Sequence, residues 1–385
     1  MKCKDLSNLK FRYSYGKVGN DKNAPRFNYL PLFSSGGNVQ FGLNQDVAFG
    51  PMYNEGRIPN PDATWELTTK QNFGIELGLF HKLNVTLDLF KENRTKILMQ
   101  RQTIASWSGF PSLPSFNLGE TKNHGLEFEI GWNDEINKEF NYWVKFNFAT
   151  SENRVIFRDD PFKLADYLKY AGKPIGVQRK YIASGNYTSI DDIFNGPITN
   201  ISSATQGALV PGDLFFIDYN GDGIIDTKDQ VPMKHLNYPL TTCGLSFGVE
   251  YKNFGLNALI YAAPDVYKES IGLLLWDFPA SNVKAQPETL DRWTPEKKDV
   301  DGAVRPSVHL SNNHNKQGST YSYTDHSYVR LKNVELNYKV PKNFLKKIHI
   351  SGCQFYVNGN NLLTFTKADS RRDPETANST VYPIV

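Results

Sequence analysis

The feature that most constrains this chain is the alternation of apolar and polar residues, repeated in many separate segments. From Phe140 to Phe148 the alternate positions are Phe140, Tyr142, Val144, Phe146 and Phe148, with Asn141, Trp143, Lys145 and Asn147 between them. A period of two puts the first set on one face of a β-strand and the second on the other. The same split recurs in Leu126, Phe128, Ile130, Trp132 against Glu127 and Glu129. It recurs in Leu83, Val85, Leu87, Leu89 against Asn84, Thr86 and Asp88, and in Phe73, Ile75, Leu77, Leu79 against Asn72 and Glu76. Leu9, Phe11, Tyr13, Tyr15 open the series; Leu245, Phe247, Val249, Tyr251, then Val334, Leu336, Tyr338, Val340, then Cys353, Phe355, Val357 close it.

A soluble β-sandwich alternates too, so the connections decide. Tight turns fit after Leu79, Trp132 and Tyr251, and near 341–352, whereas long segments separate these hairpins at 18–61, 96–120, 152–239 and 265–325. Short and long connections taking turns is the habit of outer-membrane barrels, with short periplasmic turns and long extracellular loops. Long loops without structure are uncommon in a compact soluble domain. The expected fold is therefore all-β, a transmembrane antiparallel β-barrel. About nine strands result, and a bacterial single-chain barrel normally has an even number. The expectation is a partial barrel spanning 1–385, with the closing strand and plug absent and with 152–239 as a long extracellular loop. Two other readings compete: a soluble or surface-attached glycan-binding β-sandwich, and a polysaccharide-degrading enzyme.

Composition agrees with the barrel. Aromatic residues are 13% of the chain, and the net charge of +3 argues against a nucleic-acid partner. No apolar run reaches the length of a transmembrane helix, and the start, Met1-Lys-Cys-Lys-Asp-Leu-Ser, holds no signal-peptide core. An export signal is expected upstream. Cys3, Cys243 and Cys353 fit neither a zinc site nor a C-x-x-C redox pair.

Several motifs occur in order along the chain. They are Leu9-Lys-Phe-Arg-Tyr-Ser-Tyr-Gly-Lys-Val-Gly-Asn20, Asn60-Pro-Asp-Ala-Thr-Trp65-Glu66 and Gly119-Glu-Thr-Lys-Asn-His-Gly-Leu-Glu-Phe-Glu129. Gly212-Asp-Leu through Asp229, Arg292-Trp-Thr-Pro-Glu296, Tyr328-Val-Arg-Leu-Lys-Asn333, Tyr356-Val-Asn-Gly-Asn-Asn-Leu-Leu363 and Asp373-Pro-Glu375 follow. Together they resemble the C-terminal half of the SusC/RagA-type TonB-dependent transporters of Bacteroidetes. The resemblance implies a barrel of about 22 strands with a plugged lumen. It implies an outer-membrane location, energised uptake of oligosaccharides or peptides, and a SusD-like surface lipoprotein as lid. It also implies that TonB acts through an N-terminal part absent from these residues.

One stretch carries metal chemistry. Asp218, Asn220, Asp222, Asp226 and Asp229 place side-chain oxygens at positions 1, 3, 5, 9 and 12 of a calcium loop, with Gly223 at 6 and the Ile224 carbonyl at 7. Position 12 is Asp where an EF-hand has Glu, and no helix pattern flanks the loop. Ca²⁺ binding and a plain turn of Asp, Asn and Gly, closed by its own side-chain bonds, both fit.

Glu127 and Glu129 point the same way from one strand, as luminal polar residues rather than an acid pair. His309 and His314 lie in a Ser/Asn-rich stretch and read as solvated surface groups. Aromatics Trp107, Phe110, Phe116, Trp276, Phe278 and Trp293 lie in expected extracellular segments; Trp107, Phe110, Trp276 and Phe278 are candidates for contact with substrate or lid, packing within the loops themselves is the alternative, and Trp293 suits a role in loop structure. Tyr13, Tyr15, Trp132, Tyr142, Tyr251 and Tyr338 suit the interfacial girdles.

Overall fold

The computed structural model describes residues 5–22, 24–40, 49–57, 59–103, 115–201, 204–270, 275–276, 285, 287–297, 305–309, 313–347, 349–369 and 371–376. Among them one nine-stranded sheet dominates. Its strands are β1 (Leu6–Asn20), β2 (Glu66–Leu79), β3 (Leu83–Gln100), β4 (Ser115–Asn137) and β5 (Phe140–Phe157). They continue as β6 (Thr241–Tyr251), β7 (Phe254–Ala263), β8 (Tyr328–Lys339) and β9 (Gln354–Thr366). Each pairs antiparallel with the next in chain order, so the sheet is a simple meander, open at β1 and β9.

The register lines up the alternating residues of every strand. One row crosses the sheet as Phe11, Ile75, Leu87, Phe128, Phe148, Cys243, Ala262, Val329 and Phe365. A neighbouring row reads Leu9, Leu77, Val85, Ile130, Phe146, Leu245, Ile260, Leu331 and Leu363. Because the side-chain period is two, such rows put one continuous apolar face on the sheet. Among the described residues no second sheet covers it. Phe11 is 63% exposed and Phe365 69%. Ala258, Ala263 and Tyr328 are the only buried apolar residues of the sheet among the described residues. A sandwich would bury these rows, so the sandwich reading is wrong.

The apolar band has two rims. Four connections lie at one end of the strands: 80–82, 138–139, 252–253, and 340–353 with its helix α1 (Lys342–Lys347). Phe80 (φ 55°) and His81 (φ 58°) make the first of these tight turns left-handed. The last row there is aromatic: Phe140, Tyr251, Phe254, Tyr338 and Phe355. Trp132 Nε1 donates to the Tyr142 hydroxyl at 3.2 Å near the same rim. At the other rim the outward side chains change from Tyr13, Phe73, Leu89, Leu126 to Tyr15, Gln71, Lys91, His124. On β5 the band spans Phe140–Phe148, roughly 27 Å along the strand at 3.3 Å per residue. That matches a tilted membrane-spanning strand.

The strands run past this rim, and one expectation needs correction. The connection expected at 96–120 is only 101–114, because β3 reaches Gln100 and β4 starts at Ser115. The ladder breaks register between Arg94 and Ile97 and again at Leu98, with Lys96 at φ 57°. A bulge resets the alternation and hides such a strand from a period-two search. The other long connections are 21–65, 158–240 and 264–327.

Adjacent residues on opposite faces should respond oppositely to a charge. Val85→Arg, in the middle of the apolar band, is expected to cost roughly 2–4 kcal/mol of folding stability in a bilayer. Thr86→Arg, beside Glu76 and Glu129, should change stability by less than about 0.5 kcal/mol. Urea titration of the bilayer-folded protein, read by heat-modifiable gel migration, checks the contrast.

Candidate functional site

The opposite face of the sheet is polar and lines a concavity. Arg12 bridges Glu76 (2.9 Å) and Asp88 (2.9 Å) across three strands. Lys70 pairs with Glu92 (2.9 Å) and Lys145 with Glu129 (2.9 Å). Asn333 Nδ2 reaches Asn360 Oδ1 at 3.0 Å. These groups are partly hydrated, so each pair adds little stability; together they make the face wettable. Glu127 stands opposite Asp88 in the ladder, and both line a cavity of about 280 Å³ with Thr86, Glu129 and Asn147. A larger one of about 600 Å³ lies near the short turns, lined by Lys82, Asn133, Asn141, Trp143 and Glu250. Trp143 fits because Gly248 faces it: a Cβ there would sit 2.3 Å from the indole Nε1.

Above the sheet, the long connections build a folded layer with its own core. Tyr181, Ile201, Leu214, Phe216 and Ile225 form one buried cluster, and Tyr187, Ile193 and Leu209 another. Motifs distant in sequence meet here or at the strand ends. Trp65 lies over Gly19, where a Cβ would come within 2.7 Å of its ring, and Asn20 donates to Glu66 beside it. Asn60, 1% exposed, donates to the Ser115 carbonyl at 3.0 Å. Trp293 covers Gly212, which sits at φ +93°. Arg330, 1% exposed, holds Asp373 (2.9 Å), Glu375 (3.2 Å) and Thr364 Oγ1 (2.9 Å).

Asp213 is the hub of this layer. It is fully buried and accepts from Val210 N (3.0 Å), Ser307 Oγ (3.0 Å), Asn315 Nδ2 (2.9 Å) and His309 Nε2 (2.9 Å). His314 is buried too, bonded to the Leu214 carbonyl at 2.7 Å, and burial holds its pKa below the ordinary imidazole value. The expectation of solvated surface groups is therefore wrong for His314, whereas His309 is 21% exposed and tied to Asp213. A Ser/Asn-rich composition does not reveal that Asp213, about a hundred residues earlier, needs donors when buried.

The family described as TonB dependent receptor-like, beta-barrel matches residues 5–362. The chain belongs to that family. TonB-dependent receptor P3 of Formosa agariphila is 28% identical over 379 residues, covering 96% of this chain and 36% of that protein. TonB-dependent receptor SusC of Bacteroides thetaiotaomicron is 25% identical over 347 residues, covering 86% and 32%. The chain thus spans about a third of the length of these relatives. The RagAB peptide importer in its open-open state superposes with a TM-score of 0.74 at 20% identity, covering 98% of this chain and 38% of that one. The RagAB peptide transporter gives 0.69 at 21%. At that identity the likeness is one of fold. Barrels of this family are outer-membrane proteins, and its members are receptors and transporters rather than enzymes.

In this receptor Trp276 packs against Tyr321 (5.9 Å between ring centres) and the buried Tyr181 cluster. Trp107, Phe110 and Phe278 lie outside the described residues. The six residues of the calcium-like loop do meet, as a hydrogen-bonded turn. Asp218 accepts from Gly221 N (2.8 Å) and Gly223 N (2.7 Å), and Asp222 from Ile224 N (3.0 Å). Asp229, fully buried, accepts from Tyr219 N (2.9 Å), Asn220 N (3.3 Å) and Asp226 N (2.8 Å). The Lys228 ammonium sits 3.0 Å from Asp226 and 3.5 Å from Asp222, where a bound cation would have to displace it. Among the described residues no group of three His, Cys, Asp or Glu converges for a metal.

Two measurements follow. Calorimetry with Ca²⁺ separates the two readings of this loop: an isotherm that vanishes in Asp218→Ala with Asp222→Ala establishes the calcium site, and the absence of saturable heat establishes the plain turn. His326 is 1% exposed, and neither ring nitrogen has a hydrogen-bond partner among the described residues. Burial, with Arg372 and Lys268 nearby, depresses its pKa from 6.5 to about 4. The unfolded layer therefore binds a proton that the folded one refuses. The resulting stability is present above about pH 6.5 and is lost as pH falls toward about 4. Limited proteolysis of 264–327 should accelerate across that window in the native receptor and less so in His326→Gln.

Proposed function

We propose that this chain supplies wall and extracellular layer to an outer-membrane importer of oligosaccharides or peptides. The observation that carries the reading is one sheet with an apolar face toward lipid and a hydrated, ion-paired face toward a lumen, with all its long connections at one end. That arrangement makes a water-lined path with a structured mouth. The two luminal cavities offer carboxylates, amides and the Trp143 ring, groups that bind hydroxyl- and amide-rich cargo. RagAB, described as a peptide importer, has the same fold and supports the peptide alternative. A SusD-like lipoprotein is the proposed partner at the mouth, and TonB the energy source, engaged through a part of the receptor outside these residues. Trp107, Phe110, Trp276 and Phe278 are proposed to touch cargo or this lipoprotein. No catalytic role is proposed.

Deletion of the gene should abolish growth on one polymeric nutrient while growth on its monomers continues. A tagged receptor should fractionate with the outer membrane and co-purify with a lipoprotein. Recovery of the receptor in the aqueous fraction without detergent would overturn the importer reading.

A further inference from the structure

Two outward rows lie just beyond the apolar band, at the rim next to the long connections. The first runs Tyr15, Gln71, Lys91, His124, Glu152; the second runs Lys17, Thr69, Asn93, Lys122, Arg154. The ladders are unbroken from the band through both rows, so these side chains project on the same side as Phe73, Leu89 and Leu126. The rows carry Lys17, Lys91, Lys122 and Arg154 against a single carboxylate, Glu152. That carboxylate is taken by Arg154 Nε at 2.8 Å, with His124 at 3.9 Å. The Lys17, Lys91 and Lys122 ammonium groups have no ion pair or hydrogen bond among the described residues. Near the short turns Lys82 is paired with Asp134 (2.6 Å), Lys339 with Glu250 (2.8 Å) and Lys252 with Glu139 (3.7 Å). Lysines of the luminal face are paired too, as with Lys70 and Lys145.

We infer that this belt binds the phosphate of anionic lipid headgroups in the outer leaflet. The inference rests on the barrel reading above and adds a lipid partner to it. Depth supports it. Two rows two residues apart cover about 7 Å of strand, comparable to the headgroup layer of roughly 5–7 Å that flanks the hydrocarbon on each side. Lysine stems can lie along the apolar band while their ammonium groups reach that layer. A phosphate oxygen is the strong acceptor that an ammonium lacking a carboxylate finds there. Lys91, Lys122, His124 and Arg154 stand on strands paired on both sides, so neighbouring wall cannot cover them.

The test uses the full receptor folded into phosphatidylcholine vesicles with or without phosphatidylglycerol, with retained lipid counted by native mass spectrometry. Wild type should retain phosphatidylglycerol in preference to phosphatidylcholine, and less so at high salt. The combined variant Lys17→Gln, Lys91→Gln, Lys122→Gln should lose that preference, about fivefold per lysine, while Lys82→Gln keeps it. An unchanged preference in the triple variant overturns the inference. So does inorganic phosphate if, at equal concentration, it displaces the retained lipid completely, since that makes free phosphate the ligand. A receptor that enters neither vesicle overturns the barrel reading and this inference with it.

Discussion

A strand crossing hydrocarbon has no water to satisfy its backbone, so every N–H and C=O must be met by a neighbouring strand. The rest of this structure depends on that demand. It fixes the strands side by side in an unbroken antiparallel meander. Once they are side by side, the pleat sorts their residues into two faces, and nine strands in register turn scattered alternation into continuous rows. The apolar rows need no partner because lipid covers them. The polar rows need none because water does. The sheet is stable without a core of its own, which is why its buried apolar residues are so few.

The core lies outside the membrane, among the long connections. There the chain returns to ordinary soluble rules: apolar clusters packed around Tyr181 and Tyr187, and buried polar groups matched donor to acceptor. Asp213 gathers one donor from Val210, three residues earlier, and three from Ser307, His309 and Asn315 about a hundred residues later, and Arg330 ties the segment after β9 to the mouth of the sheet. Breaking either hub would leave a buried charge unmatched, a costlier loss than any of the hydrated luminal pairs. The rigid mouth and the wettable wall are thus built by different forces.

How legible each part was follows from range. Alternation is local, so strands such as Phe140–Phe148 and Leu83–Leu89 could be read directly, and so could the tight turns between them. Where bulges reset the period near Lys96 and Glu120, the reading stopped short of the true strand ends. The motifs were visible as strings, but their purpose was not: Gly19 and Trp65, or Gly212 and Trp293, make sense only when one ring is seen lying on the other's missing side chain. The burial of His314 and the bond of His309 to Asp213 are properties of the assembled layer, which a local pattern does not carry. The Asp218–Asp229 spacing permitted a metal loop or a turn equally, and the position of Lys228 among its carboxylates could not be inferred from spacing.

By itself, then, the amino-acid sequence determined that this chain forms membrane-spanning β-strands with long connections on one side, because face and turn are set by neighbours one to four residues apart. Only the tertiary structure decided which rows continue across the sheet, where the apolar band stops, and which charges are left facing outward above it. Those outcomes depend on inter-strand register and on contacts between residues tens to hundreds of positions apart, and no local pattern encodes them.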